Sequence, residues 1–253
     1  MFEENKNKNR ILIGTSGWSY EHWIGNFYPA NLAKNQWLSY YSNYFDTVEL
    51  NMSFYRYPNL SMIEGWKNKL PEHFKMTFKA HKQFTHIQYF RNVQNNLRRF
   101  YEMTDNMGLK KGCILFQSPP SFEMNKKNFN ILELFLMEID FKRYNVIEFR
   151  HPSWWHCEVV DLLRKHNTAF CTVSGLDMPE AHMITADFAY YRFHGPDMPY
   201  SSEYTEEQLK DYAKVIRTCI VEGKVKKIYC YFNNDFQGLA IKNAMFLKKM
   251  LTD

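Results

Sequence analysis

Carboxylate side chains follow apolar residues at two widely separated places in the chain, and their positions suit acid–base chemistry. Glu49 lies in the alternating run 47–51, and Glu148 lies in the run 145–150. Two carboxyl groups can divide the roles of general acid and general base when their surroundings separate their pKa values. We therefore predict that Glu148 is a catalytic carboxylate with Glu49 as its partner: nearby cations would hold one of the two ionised as a base, and burial would keep the other protonated as an acid.

Cationic side chains occupy equivalent positions in other runs. Lys79, Arg150 and Arg192 each end or nearly end an apolar run, and such groups hold anions or stabilise developing negative charge. Lys79 and His194 complete the predicted catalytic set. His81 and His194 could join the glutamates as metal ligands, but the chain has neither a His-Glu-x-x-His motif nor clustered cysteines. We predict no cofactor and prefer metal-free catalysis, with a metal not excluded.

Polar and aromatic residues after the apolar runs form the predicted substrate-binding set. Aromatic rings at a cleft can stack on a sugar ring or a base. The run 233–235 leads through Gly238 into a predicted helix, whose free N–H groups favour an anion; plain helix capping explains this loop equally well. The predicted binding residues are Trp18, Tyr20, Asn51, Tyr55, Gln117, Arg150, Trp154, Arg192, Asn233 and Asn234.

Eight apolar runs alternate with helix-like segments, which predicts an α/β fold, a single (β/α)8 TIM-type barrel with parallel strands. The predicted strands are 11–15, 47–51, 75–79, 112–117, 145–150, 168–174, 188–194 and 227–233. The predicted helices are 34–44, 60–69, 92–107, 126–139, 159–166, 206–221 and 238–251. The segment 175–185 contains Pro179 and is too short for a crossover helix.

Alternation within the strands predicts which face is inside the barrel. Helix-facing positions must be apolar, so we expect the other parity to point inward. Thr15, Gln117, Thr172 and Ser174 are predicted to complete the polar inner set. The residues predicted to face the helices are Val48, Phe78, Phe116, Phe149, Phe193 and Phe232.

Length and composition favour one domain. The chain has 253 residues, of which 45% are hydrophobic, and we predict one barrel over 1–253 with a polar tail at 1–10. The net charge of +5 permits a nucleic-acid partner without requiring one. The chain shows no signal peptide or membrane-spanning run, and its five cysteines form no Cys-x-x-Cys pair. We expect a cytoplasmic protein with reduced thiols.

Several motifs, in order along nearly the whole chain, carry a family resemblance. They are Gly-Thr-Ser-Gly-Trp-Ser-Tyr (14–20), Phe-Asp-Thr-Val-Glu-Leu-Asn (45–51) with Phe54 and Tyr55, Ile-Leu-Phe-Gln-Ser-Pro-Pro-Ser-Phe (114–122), Glu-Phe-Arg-His-Pro-Ser-Trp (148–154), Arg-Phe-His-Gly (192–195) and Tyr-Phe-Asn-Asn-Asp (231–235). With these motifs the chain resembles the YecE-like family, domain of unknown function 72.

The resemblance implies the barrel fold and a set of pocket positions, but no specific reaction. Pro196 stands where the family often has a further arginine, which weakens an anion-binding role at that position. The pocket positions it implies are Glu49, Asn51, Lys79, Gln117, Glu148, Arg150, Arg192, His194, Asn233 and Asn234.

Three functions remain open on the sequence. The first is an enzyme, such as a hydrolase, lyase or isomerase, that acts on a phosphorylated or other anionic polar substrate. The second is a nucleic-acid-binding or nucleic-acid-processing barrel that resembles barrel endonucleases. The third is a barrel that binds a ligand without turnover. Steep salt dependence of affinity would distinguish nucleic acid from a small ligand.

Overall fold

Eight parallel strands lie side by side in the computed structural model, which describes residues 10–252. Their hydrogen-bonded order runs from β1 through β8, β7, β6, β5, β4 and β3 to β2, which confirms the predicted α/β barrel. The predicted tail falls mostly at residues 1–9, which lie outside the described residues. The strands are β1 Ile11–Thr15, β2 Thr47–Leu50, β3 Lys75–Lys79, β4 Lys111–Gln117, β5 Asn145–Glu148, β6 Ala169–Ser174, β7 Phe188–Phe193 and β8 Lys227–Phe232.

Helices connect most of the strands and cover the outside of the barrel. The predicted helix 34–44 is instead a single turn, Lys34–Gln36, followed by a short α-helix. No helix among residues 10–252 is long and apolar enough to span a membrane. The α-helices are α1 Trp37–Tyr41, α2 Met52–Tyr55, α3 Leu60–Lys69, α4 Gln94–Asp105, α5 Lys126–Glu138, α6 Cys157–Lys165, α7 Glu206–Val221 and α8 Leu239–Thr252.

The connection between β6 and β7 contains no helix, as the short segment 175–185 predicts. The chain leaves β6 through Gly175, Leu176 and Asp177, all with positive φ angles (87°, 64° and 54°). Such angles reverse the chain direction and prevent a right-handed helix from starting there. The longest helix, α7, begins only later, at a capping box formed by Thr205 and Gln208.

Strand alternation separates two apolar clusters. The six residues predicted to face the helices all pack in the outer cluster with helix side chains, so that prediction is confirmed. The inner cluster fills the lower barrel with Leu115, Val146, Tyr190, Tyr229 and Tyr231 among others. The barrel is therefore a packed core below its carboxyl end, with little space for a ligand except at that end.

Three residues predicted to point inward point outward. Thr15 Oγ1 lies 3.0 Å from the hydroxyl of Tyr41 in α1, and Ser174 Oγ accepts a hydrogen bond from Tyr204 at 2.9 Å, on the helix side. Thr172 has the same parity as Ser174. The prediction was wrong because the inward-facing residues of these two strands are small or apolar in the lower barrel. A polar residue in these strands therefore does not mark the inward face.

Strands β1 and β2 meet at a seam with one isolated backbone bridge, between Ser16 and Glu49. The Tyr41 hydroxyl occupies the seam, accepting from the Thr15 amide at 2.9 Å and donating to the Thr47 carbonyl at 3.1 Å. A Cβ atom on Gly14 would lie 2.1 Å from that carbonyl oxygen. Glycine is therefore required where the two strands approach each other.

Trp154, predicted to bind substrate, is instead part of the core. It is fully buried, and its ring stacks on Phe149 at 4.6 Å and on Phe122 at 5.1 Å between ring centroids. Its Nε1–H donates to the Phe122 carbonyl at 2.5 Å. The prediction was wrong because the turn Pro152–Trp154 that follows β5 directs the indole to the outer, helix-facing side.

Truncating this side chain tests the assignment to the core. We expect Trp154→Ala to lower the free energy of unfolding by about 3–5 kcal/mol, because it leaves a cavity between packed rings. Tyr55→Ala is the control, since Tyr55 is 68% exposed and its loss should change stability by less than about 0.5 kcal/mol. Urea denaturation measures both, and equal effects of the two substitutions would contradict the assignment.

Candidate active site

Arg192 lies between Glu49 and Glu148 at the carboxyl end of the barrel. Its Nη2 contacts Glu49 Oε1 at 2.6 Å and its Nη1 contacts Glu148 Oε2 at 2.6 Å. The arginine comes from β7 and the carboxylates from β2 and β5, so three strands of the barrel meet in this contact. All three side chains are buried, with at most 1% exposed. Because these charges are buried, removal of any one of them would leave another without its partner, at a high cost in free energy.

Both carboxyl groups are held ionised. Burial by itself would raise the pKa of Glu49, but the Arg192 guanidinium and the hydrogen bond from Ser16 outweigh it and lower that pKa. Burial likewise opposes ionisation of Glu148, yet Arg150 and Arg192 bring its pKa well below the usual range. The expected division into one ionised base and one protonated acid is therefore wrong for these two residues, because the same cation contacts both.

Each carboxylate has further partners that fix its orientation. Glu49 accepts hydrogen bonds from Ser16 Oγ at 2.6 Å and from the Tyr190 hydroxyl at 2.5 Å. Glu148 accepts from Gln117 Nε2 at 3.0 Å. Sequence reasoning missed Ser16 and Tyr190. The signal that could have found Tyr190 is its spacing, two residues before Arg192 on the same inward face.

Arg150 and His194 contact the other oxygen of Glu148. Arg150 Nε lies 2.5 Å from Glu148 Oε1, and His194 Nε2 lies 3.3 Å from the same atom. His194 Nδ1 is 3.1 Å from the Asn233 side-chain amide. Burial, together with the charge of Arg192, lowers the His194 pKa to about 4, so the imidazole is neutral at pH 7. His194 is fully buried and orients Glu148 and Asn233.

A cleft of about 580 Å³ opens above this network. Arg192 forms part of its floor, whereas Glu49 and Glu148 do not line it. The predicted site residues that line the cleft are Tyr20, Asn51, Tyr55, Lys79, Gln117, Arg150, Arg192 and Asn233. Phe54, which is part of the family motif, also lines the cleft, as do His86, Ser118 and Tyr200, which sequence reasoning did not single out.

Besides the core residue Trp154, two predicted binding residues lie outside this cleft. Trp18 lines an adjoining cleft of about 360 Å³ with Trp66, and that cleft shares Tyr20 and Asn51 with the larger one. Asn234 is buried and directs its amide to Asn243 of α8 at 2.8 Å and to the Ser202 carbonyl at 3.0 Å. The prediction for Asn234 was wrong because its parity is that of the outward-facing residues of β8.

The carboxylate of Asp235 organises the loop after β8. Asp235 accepts a hydrogen bond from the Trp23 indole at 2.8 Å and contacts His22 at 2.9 Å. Burial raises the pKa of Asp235 to about 6. The Asp235 carboxylate places negative charge at this loop, and since like charges repel, this favours the capping alternative over the phosphate-binding one.

Lys79 ends β3 and faces the cleft with its ammonium group 4.4 Å from the centre of the Phe54 ring. Among residues 10–252, no carboxylate lies at ion-pair distance from it. Burial, and then the charge of Arg192, lowers the Lys79 pKa to about 8. Lys79, Arg150 and Arg192 together carry three positive charges against the two of Glu49 and Glu148. The site thus has a net charge of +1 at pH 7, centred on Lys79.

Metal ligation by histidines and glutamates finds no support in this geometry. Within the part of the chain that the structure describes, no three His, Cys, Asp or Glu side chains are grouped so as to hold a metal ion. His81 stacks with Tyr57 at 5.0 Å and contacts the Tyr55 carbonyl, away from the glutamates.

The fold and the site define a (β/α)8-barrel protein with a buried arginine–glutamate network beneath a polar cleft. The chain belongs to the family described as "Protein of unknown function DUF72", whose model matches residues 12–253. This match confirms the resemblance to the YecE-like family.

Individual relatives agree with this assignment. A DUF72 family protein of Thermotoga maritima MSB8, TM1631, is 31% identical, covers 96% of this chain and 100% of its own, and superposes with a TM-score of 0.87. The UPF0759 protein YunF of Bacillus subtilis strain 168 is 24% identical over 95% of this chain and 94% of its own length. PbGH5A of Prevotella bryantii B14, a glycoside hydrolase family 5 enzyme, shares the fold with a TM-score of 0.50 and 9% identity over 98% of this chain and 96% of its own.

Removing the central guanidinium tests the charge network. We expect Arg192→Leu to lower the free energy of unfolding at pH 7 by about 3–5 kcal/mol, because two buried carboxylates lose their shared cation. In the wild type the lowered pKa values of Glu49 and Glu148 contribute stability above pH 4.5, and this contribution is lost as the pH falls. In the variant the carboxyl groups are free to protonate, so the deficit should shrink as the pH falls from 7 towards 4.5.

Arg164→Leu is the matched control, since Arg164 pairs with Asp161 and is 57% exposed. Its loss should cost less than about 1 kcal/mol. Urea denaturation at several pH values measures both variants. A pH-independent deficit in Arg192→Leu would contradict the ionised state of the two glutamates.

Proposed function

We propose that the protein is an enzyme that acts on a small polar substrate bearing an anionic group, such as a phosphate or a carboxylate. The observation that carries this proposal is the position of Lys79, whose ammonium group has no carboxylate partner among the described residues and lies in a cleft of net charge +1. An anionic ligand would supply the missing negative charge, and polar side chains around Lys79 would orient it.

In this proposal the arginines and glutamates form a rigid floor beneath the ligand. Glu49 and Glu148 hold Arg192 through two separate nitrogen atoms, and Glu148 also holds Arg150. Positively charged groups that are already fixed in place stabilise negative charge in a transition state without reorganisation. Glu49, Glu148 and His194 then act as positioning residues, in contrast to the direct proton transfer that the sequence suggests.

Lys79 is the group best suited to proton transfer. A catalytic acid or base works best with a pKa near the operating pH, and the lowered pKa of Lys79, about 8, meets this condition. Buried lysines with lowered pKa values are also effective nucleophiles and bases. His86 lines the same cleft, and burial and the charge of Lys79 lower its pKa, so it is available as a neutral proton acceptor.

Similarity to a glycoside hydrolase supports an enzymatic role only in general terms. Glycosidases that use two carboxyl groups need one of them protonated as the acid. Glu49 and Glu148 both have lowered pKa values, so this pair does not match that requirement. A single excess positive charge also favours a small anion over nucleic acid, which requires contacts to several phosphates.

The anion-binding part of the proposal is tested with inorganic phosphate. We expect phosphate to raise the melting temperature of the wild type relative to chloride at equal ionic strength, because a ligand of the folded state stabilises it by mass action. Lys79→Gln should abolish this increase. The control is Lys82→Gln, which removes the same charge from an exposed position close by and should retain the increase. Equal loss in both variants would indicate non-specific screening.

The catalytic part is tested on a substrate found by screening phosphorylated and carboxylated metabolites. We expect kcat/KM to follow a titration with a pKa of about 8, that of Lys79 in the free enzyme. Lys79→Gln should lower turnover by about 100-fold or more, the scale of a lost general acid or base. Ligand binding without turnover of any such compound would favour a binding barrel.

A further inference from the structure

We propose that Lys79 forms an imine with compounds that carry both a carbonyl group and an anionic group. This inference rests on the proposed function, because it names the substrate class and the covalent step for the same cleft. Its starting point is geometric: Lys79 presents a primary amine to the cleft at the carboxyl end of the barrel, beside the Phe54 ring, and no carboxylate among residues 10–252 lies at ion-pair distance from it.

The other cations of the site differ from Lys79 in this respect. Arg192 and Arg150 are fixed by contacts of 2.5–2.6 Å to Glu49 and Glu148, and a guanidinium stays protonated in proteins. They are therefore suited to hold an anion and unsuited to attack a carbon atom. Lys79 is suited to attack because burial and the neighbouring arginine favour its neutral form near pH 8.

The chemical step needs no reagent beyond the substrate. The lone pair of neutral Lys79 Nζ attacks the carbonyl carbon, an N–C bond forms, and the carbonyl oxygen takes up a proton while the nitrogen loses one. The C–O bond of this carbinolamine then breaks, and the hydroxyl group leaves with a proton as water, which gives the C=N bond. Addition of water reverses the step.

His86, which lines the same cleft, is the group that we assign to move the proton in this reaction. Its ring lies edge-on to Phe54 at 5.0 Å, and Phe54 also contacts the ammonium group of Lys79. The anionic group of the substrate would lie towards Arg150, whose Nη1 donates to the Tyr200 hydroxyl at 3.2 Å on the cleft wall. The substrate class is thus a small aldehyde or ketone with a phosphate or carboxylate group.

Reductive trapping tests the inference. The full chain is incubated with pyridoxal 5′-phosphate, which carries an aldehyde and a phosphate, and reduced with sodium borohydride; the modified lysines are then mapped by peptide mass spectrometry. We expect modification of Lys79 at concentrations that leave Lys82 unmodified. Pyridoxal, which lacks the phosphate, should require about tenfold or more higher concentration, the effect of one charge-assisted contact.

Variants separate this inference from the proposed function. Lys79→Arg keeps the positive charge but cannot form an imine, so it should retain stabilisation by inorganic phosphate and lose the trapped product. Modification spread over exposed lysines without preference for Lys79 would overturn the imine, while phosphate stabilisation that depends on Lys79 would leave the anion-binding proposal intact. If neither the trapped product on Lys79 nor the phosphate stabilisation is observed, the imine and the anion-binding proposal are both overturned. Because the wild type is itself mapped, the result does not depend on how well the variant folds.

Discussion

Two carboxylates buried at the end of a barrel require a cation between them, and Arg192 supplies it. Without that guanidinium, Glu49 and Glu148 would be buried like charges, which proteins avoid by protonation or by unfolding. With it, three strands from distant parts of the chain are joined by charge-assisted hydrogen bonds. The geometry of the cleft floor is consequently set before any ligand arrives.

The layer beneath this network explains why the cleft lies at one end of the barrel. The Tyr231 hydroxyl contacts Thr47 Oγ1 at 2.6 Å and Thr77 Oγ1 at 2.8 Å, inside the barrel. Tyrosine rings from β7 and β8 fill the space below, with Tyr190 and Tyr231 5.2 Å apart between centroids. Their hydroxyl groups are satisfied by neighbouring strands, so the interior admits no further polar ligand and leaves the carboxyl end to the site.

The sequence predicts the barrel and much of the site because strand alternation is strong where one face is charged. Glu49, Glu148, Arg192 and Asn233 all have the predicted inward orientation for this reason. Alternation gives no such signal in β6, because its inward-facing residues include Cys171 and Val173, which are not charged. It also does not extend into turns, so it does not predict the orientation of Trp154 in the turn after β5. Pairing between strands far apart in sequence determines which carboxyl groups share a cation, and so the protonation states of Glu49 and Glu148 could not be predicted from local pattern.

Glu49 has a second role, at the seam between β1 and β2. Its backbone forms the isolated bridge to Ser16, and its carboxylate accepts the hydrogen bond from the Ser16 side chain at 2.6 Å. One residue therefore joins the two end strands of the sheet and also carries part of the charge that holds Arg192. Closure of the cylinder and the ionisation of its binding site are thermodynamically linked, so that whatever favours the carboxylate form of Glu49 also opposes separation of the first two strands.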